Sequence, residues 1–340
     1  MKTRFIHSLW TLLAVFTLAS CNQAPKQAAE TASAAQDDLG VTIGVQTYSF
    51  RTMDDQSPLQ VLEYIKQTGI KNVELMGNHA EPYAGAPSSP IDDPAKRRIM
   101  FKQWRNQELT DEEKVQAEAL SVEMAAYREA VTEWRKNVDY GKFEELRKLY
   151  NDAGISIFAF KPSVFGKDNS DDDIRYGMRA AKALGASHVT LEHPEDDAHT
   201  ARLARLAEEE GMLIGYHGHM QQTSTLWDSA MAQSDANRMN LDFGHYIAAE
   251  NENPLSIITD KGEKIVSMHL KDRQKQSNGG GNLLWGTGDT PIKEVLQLIQ
   301  SEGLTFPVTI ELEYDIPEGS DAVQEVKRSF DYVKEALASK

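Results

Sequence analysis

From Val41 to the C-terminus, short apolar runs alternate with amphipathic runs, and the two differ in period. The apolar runs are continuous and rich in Val, Ile, Leu and Phe. The others repeat apolar residues at three- and four-residue spacing, as one face of a helix does. Strands are expected within Val41–Phe50, Lys71–Met76, Ile155–Pro162, His188–Pro194, Met212–His219, Met239–Tyr246, Ile265–Arg273 and Phe306–Tyr314. Helices are expected at Pro58–Gly69, Lys142–Gly154, Asp172–Gly185, His199–Gly211, Leu226–Ala236, Asn253–Glu263, Pro291–Gly303 and about Asp321–Ala338. In the first of these, Leu59, Val61, Leu62 and Ile65 share a face and Gly69 supplies the stop.

Strands apolar on both faces belong in a parallel sheet covered by helices. Eight strand–helix pairs in series predict an α/β fold, the (β/α)8 TIM barrel. An open doubly wound sheet would be expected to carry a Gly-rich turn after its first strand, and Gln46–Arg51 has none. One interruption breaks the rhythm. Gly77–Pro94 reads as loop, and Ala95–Val138 as a long charged helical stretch broken near Glu108–Asp111. This is a helical insertion between strand 2 and strand 3, at about residues 78–140. Two readings stand for it, a solvated hairpin decorating the fold or a lid over a site.

The N-terminus follows different rules. Lys2 and Arg4 precede the apolar run Leu9–Leu18, and Leu18-Ala19-Ser20-Cys21 has the form of a lipobox. Residues 1–20 are therefore expected to be a lipoprotein signal peptide, with Cys21 lipidated. Residues 21–39, rich in Ala and Gln, are expected to be a flexible tether to a barrel at 40–340. The address implied is the cell envelope of a bacterium, periplasm or outer membrane, with membrane contact only through the lipid. Cys21 is the chain's one cysteine, so the fold holds neither a disulfide nor a thiol nucleophile. The net charge is −16, and losing Lys2 and Arg4 takes it to −18. That balance repels phosphate backbones and argues against nucleic acid as a partner.

In a (β/α)8 barrel, catalysis sits at the C-terminal strand ends, and polar residues gather there in this chain. Asp242 and His245 stand at metal-ligand spacing in M-N-L-D-F-G-H-Y. Alternate residues of a strand share a face, so Thr190 pairs with Glu192, His217 with His219, Asn240 with Asp242, His269 with Lys271 and Glu311 with Glu313. Each residue alone has an ordinary structural explanation. Several carboxylates buried near one axis call for a neutralising cation. A mixture of carboxylates and imidazoles suits Mn²⁺, Co²⁺, Mg²⁺ or Zn²⁺. Lys161 ends an apolar run, so desolvation is expected to lower its pKa and make it a candidate for proton transfer.

The ordered set L-E-H, Y-H-G-H, L-D-F-G-H, M-H-L-K-D, G-T-G-D and I-E-L-E resembles the xylose isomerase-like barrel superfamily over about residues 41–335. Its members include sugar isomerases, ketose epimerases, inosose dehydratases and endonuclease IV. The resemblance implies a divalent metal held by a Glu, an Asp, a His and a second Glu. Carried across, these are Asp242, His269 and Glu311, with Glu192 as the first Glu. Many ketose epimerases carry that Glu on the strand where this chain has His217 and His219, so a strand-five His stands as the alternative. Family chemistry abstracts a proton beside a carbonyl and passes through an enediolate. Glu192, Glu311, His219 and Lys161 are the candidate catalytic residues, with Glu313 a further proton-transfer group. Gln46, Glu74, His217, His245, Lys271, Trp285 and Glu313 are the candidate contacts to a small-molecule carbohydrate. The expected function is a metal-dependent isomerase or epimerase on a non-phosphorylated sugar. The alternatives are a lyase or dehydratase cleaving keto-sugars or 3-keto-glycosides by β-elimination, a non-catalytic sugar-binding lipoprotein, and a phosphodiesterase.

Overall fold

The computed structural model describes residues 39–338 other than Arg105; the leader, Cys21 and the tether up to residue 38 lie outside the described residues. Eight parallel strands close into a barrel: β1 (Ile43–Gln46), β2 (Asn72–Met76), β3 (Ser156–Lys161), β4 (His188–Glu192), β5 (Leu213–His217), β6 (Asn237–Asp242), β7 (Ile265–Leu270) and β8 (Val308–Ile310). Each pairs with its sequence neighbours, and β8 pairs with β1 to complete the ring. The outer helices are α1 (Pro58–Thr68), α4 (Gly141–Asp152), α5 (Asp171–Leu184), α6 (Asp197–Glu210), α7 (Asp228–Gln233), α8 (Phe243–Ala248), α9 (Ser256–Lys261), α10 (Ile292–Ser301) and α11 (Ala322–Ala338). The insertion between β2 and β3 holds α2 (Pro94–Trp104) and α3 (Asp111–Lys136).

Local chemistry sets the boundaries. Gly69, Gly185 and Gly211 end α1, α5 and α6 in the left-handed conformation that releases the chain toward the next strand. Ser170 and Asp173 form a capping box at the start of α5. The second helix of the insertion starts afresh at Asp111, because Thr110 and Glu113 build a capping box there. Among the described residues, no helix is long and apolar enough to cross a membrane.

Four strands are shorter than their apolar runs suggest, each for a local reason. β1 stops at Gln46 and turns into a 3-10 helix, Thr47–Phe50. The hydroxyls of that turn take over backbone groups of neighbouring strand ends: Met76 N donates to Thr47 Oγ1 at 3.0 Å and Leu312 N to Ser49 Oγ at 3.0 Å. β8 therefore ends at Ile310, which leaves Glu311 and Glu313 beyond the strand. β6 ends at Asp242, whose Oδ1 accepts the His245 N–H at 2.8 Å and caps α8. The run expected to continue through Tyr246 is therefore helical there, and His245 lies on the helix. β7 ends at Leu270, and Asp272–Arg273 instead pairs antiparallel with Asn282–Leu283.

The insertion is tied down at its far end. Trp134 donates from Nε1 to Ala84 O at 3.1 Å and meets Tyr176 of α5 edge-on at 5.4 Å. Arg135 pairs with Asp173 at 3.3 Å. These anchors fix α3 to the flank of the barrel beside α5.

Candidate metal centre

The strand register lines up the polar ends. Gln46 pairs with Glu74, Glu192 with His217, His217 with Asn240, and Asp242 with His269. Gln46, Glu74, His217, Asn240, Asp242, His269, Lys271 and Glu311 are all buried. Burial at this density requires near-complete pairing.

His269 lies between two carboxylates. Its Nε2 is 2.6 Å from Glu74 Oε2 and its Nδ1 is 3.2 Å from Glu311 Oε2. Burial alone would lower its pKa, but Glu74 and Glu311 push it up to about 10. Burial would raise the Glu74 pKa, and His269 outweighs it and holds the carboxylate below its usual range. Thr190 Oγ1 donates to the other Glu74 oxygen at 2.6 Å. Lys271 Nζ lies 2.8 Å from Asp242 Oδ2, 2.6 Å from Glu311 Oε2 and 2.6 Å from Glu313 Oε2. Against the cost of burial, these carboxylates raise its pKa. Gly244 makes room for it, since a Cβ there would sit 2.4 Å from Lys271 Cγ. Glu311 is held well below the usual carboxylate range by Lys271 and His269, despite burial.

Asp242 is the exception. Burial pushes its carboxyl up to about 6, with Lys271 opposing. Oδ1 is used in capping α8, and among the described residues Oδ2 receives no hydrogen bond. The Lys271 contact to Oδ2 is close but lacks hydrogen-bond direction, so it neutralises charge without satisfying the lone pair. His217 Nε2 faces the same oxygen from 3.6 Å and His245 Nε2 from 3.9 Å.

At the mouth, Lys161 Nζ donates to Glu192 Oε1 at 2.7 Å and His219 Nδ1 lies 3.5 Å from Glu192 Oε2. Burial opposes the Lys161 charge, as expected from the apolar run, but Glu192 and Glu74 more than compensate, and the pKa rises. This corrects the expectation of a lowered value: Lys161 is a fixed cation. His219 and His217 are both lowered, first by burial, and stand neutral. A cavity of about 500 Å³ opens beside them, walled by Met76, Pro162, Phe165, Leu191 and Pro194, with Lys161 and Glu192 on its lining. That is within the usual roughly 300–1,000 Å³ for small-molecule sites.

Two sets of donor atoms converge within 4.8 Å: His217, Asp242 and His269, and Glu192, His217 and His219. They share His217. Five carboxylates (Glu74, Glu192, Asp242, Glu311, Glu313) face three cationic groups (Lys161, His269, Lys271), an excess that a divalent cation would balance. The unsatisfied Asp242 Oδ2 and this donor set fit such an ion.

Asp242, His269 and Glu311 are thus together, and Glu192 lies across the mouth with Lys161 and His219. His245 is held by Arg273 Nη1, which reaches its Nδ1. Trp285 is half-buried and meets Tyr332 of α11 edge-on at 6.2 Å. Sequence reasoning underrated His217, which belongs to both donor sets, and Glu74, which pairs directly with His269. It missed Arg273 and Asp272. Asp272 accepts backbone N–H groups of Gly286, Thr287 and Gly288 at 2.8, 3.0 and 2.9 Å and pins the G-T-G-D loop. The H-L-K-D and G-T-G-D motifs together carried that signal.

A family model described as xylose isomerase-like TIM barrel matches residues 116–336. An inosose dehydratase from Clostridium beijerinckii is 40% identical over 76 residues, which is 21% of this chain and 25% of that enzyme. The chain therefore spans about a quarter of this curated relative. Among solved structures, the 3-keto-D-glucoside 4-epimerase YcjR of E. coli aligns with TM-score 0.54 at 12% identity, covering 87% of this chain and 99% of that one. The IOLI protein, solved with a bound zinc atom, aligns with TM-score 0.56 at 14% identity, covering 88% and 100%.

Proposed function

The chain belongs to the xylose isomerase-like TIM barrel family, and on that premise we propose that it is a divalent-metal-dependent enzyme acting on a non-phosphorylated sugar. The reaction removes a proton beside a carbonyl and returns it to the resulting enediolate, as in sugar isomerases and epimerases. The observation that carries this reading is the buried Asp242 carboxylate, whose Oδ2 is met among the described residues only by the charge of Lys271 and whose ligand atoms converge with those of His217 and His269 within 4.8 Å. A bound cation would supply Lewis-acid stabilisation of the developing oxyanion. His217 and Asp242, with Glu311 and Glu192 adjoining, would hold it, and His269 would join them on giving up the proton that Glu74 and Glu311 stabilise.

The chain's own residues do the rest. Glu192 and neutral His219 flank the mouth as the proton-transfer pair. Lys161, kept charged, donates a hydrogen bond to a substrate oxygen. Gln46 Oε1, a buried acceptor without a donor, offers itself to a sugar hydroxyl. The excess of carboxylates disfavours a phosphorylated substrate.

The cavity beside Lys161 and Glu192 favours a second reading, a lyase or dehydratase that expels a β-leaving group after the same proton abstraction. Its apolar walls suit an aglycone. The envelope address, with lipid on Cys21, joins the proposal; it agrees with a neutral carbohydrate and no nucleic acid as partner.

The deciding experiment combines metal analysis with a metal-supplemented panel of keto-sugars and 3-keto-glycosides. Epimerised product supports the first reading, and aglycone release the second. Bound metal and turnover unchanged in Asp242→Ala would overturn the metal site. Sugar binding indifferent to EDTA, without turnover, would make the chain a binding protein.

A further inference from the structure

A line of polar side chains, exposed at Ser187 and buried from His188 inward, crosses the barrel beneath the candidate metal centre. Ser187 Oγ donates to Phe158 O at 3.0 Å and lies 2.9 Å from His188 Nδ1. His188 Nε2 lies 2.9 Å from Ser267 Oγ. Asn240 Nδ2 donates to Ser267 Oγ at 2.7 Å, and Asn240 Oδ1 lies 2.6 Å from His217 Nδ1. His188, Ser267, Asn240 and His217 are all buried.

The hydrogens in this line can be counted. Asn240 Nδ2 donates to the buried Ser267 Oγ, whose own hydrogen goes to His188 Nε2. Neutral His188 then carries its hydrogen on Nδ1, toward Ser187 Oγ, whose hydroxyl points to Phe158 O. The Asn240 carbonyl oxygen then accepts from His217 Nδ1–H, and the lone pair of His217 is left on Nε2. Burial, which lowers His188 to about 4, agrees with a neutral ring there.

We propose that Ser187, His188, Ser267 and Asn240 form a one-directional hydrogen-bond line that positions His217 and fixes it as an Nε2 electron-pair donor to the metal. None of the four touches the substrate; each acts through His217. Asn240 and Asp242 share a strand face, so one strand both orients the imidazole and supplies the carboxylate oxygen opposite it. His217 is the residue common to both donor sets, and with Nδ1 committed to Asn240 it offers a single lone pair. His217 can therefore serve an ion in only one of the two sets at a time. The role rests on the metal reading of the proposed function, whereas the tautomer does not.

The test begins on the full, metal-free, ¹⁵N-labelled chain. Long-range ¹H–¹⁵N correlation reports which ring nitrogen carries hydrogen, with His188→Gln and His217→Gln assigning the signals. His188 and His217 should both carry it on Nδ1. A hydrogen on His217 Nε2 would overturn the proposal, because the reversed line closes the site to a cation. Zn²⁺ is then titrated calorimetrically. Ser267→Ala and Asn240→Leu should mix the His217 tautomers and weaken Zn²⁺ binding about 10–100-fold. Asn240→Asp, which keeps an acceptor toward His217, should restore the Nδ1–H form and most of the affinity. Tautomer and affinity unchanged in correctly folded Ser267→Ala would also overturn it. Should the parent chain show the expected tautomer yet bind no Zn²⁺, the metal reading fails and the positioning role with it.

Discussion

At the scale of single residues, two histidines far from one another carry the same acid sensitivity. His79, hydrogen-bonded to Gln56 at 2.9 Å, and His188 are each lowered by burial to about 4. An unfolded His titrates near pH 6.5, so the folded state binds fewer protons below that value. The contribution to stability is fully present above about pH 6.5 and is lost as pH falls toward 4. His79→Gln, which keeps a donor for Gln56, should flatten the acid limb of a stability–pH curve by up to about 1.4 kcal/mol per pH unit. Urea unfolding at pH 7, 6, 5 and 4 checks this; parallel curves for the two proteins would refute it. Asp242→Ala belongs to the same scale: bound metal should fall to background, with activity following. Lys161 shows how far a residue can be read alone. Its apolar run and its burial were visible in the sequence, but the two carboxylates that reverse its shift come from β2 and β4.

Among elements, the side chain of Asp272 gathers the turn at 286–288 after β7. Asp272 accepts the N–H groups of Gly286, Thr287 and Gly288, and a Cβ at Gly288 would sit 2.3 Å from Asp272 Oδ1. Gly286 adopts a positive φ of 86°. Asp272→Ala should release this loop and speed amide exchange at 286–288 while α10 and β7 stay protected. Gly288→Ala should cost about 1–3 kcal/mol in stability by overpacking. Protection at 286–288 identical to that of the parent chain would count against the pinning role. The motifs were legible here, since H-L-K-D and G-T-G-D stand out, but their contact was not. The shortened β8 is similar: the apolar run Phe306–Tyr314 was plain, whereas Ser49, some 260 residues earlier, decides where the ladder stops.

For the whole molecule, the excess of carboxylates at the candidate centre makes cation binding a stability term. A ligand that binds only the folded chain stabilises it by about 2.7 kcal/mol at a hundredfold excess over Kd. Adding Mn²⁺ or Zn²⁺ to the chelator-treated chain should raise Tm by several degrees, and Asp242→Ala should cancel the rise. An equal rise in both would place the binding elsewhere. The insertion enters at this scale as well. Its anchors through Trp134 and Arg135 run to the loop at Ala84 and to α5, a docking that helical periodicity alone does not specify.

The sequence by itself determined the α/β alternation, the barrel and the end of the barrel where the polar residues gather, because period, caps and strand-end polarity are local and repeat eight times. It also determined which residue types meet there. Only the tertiary structure decided how they pair. His269 between Glu74 and Glu311, Lys271 among three carboxylates and His217 at the end of a polar line are contacts between strands distant in sequence. Spacing along the chain does not encode them, because barrel closure, strand register and the loss of water together set which charge faces which.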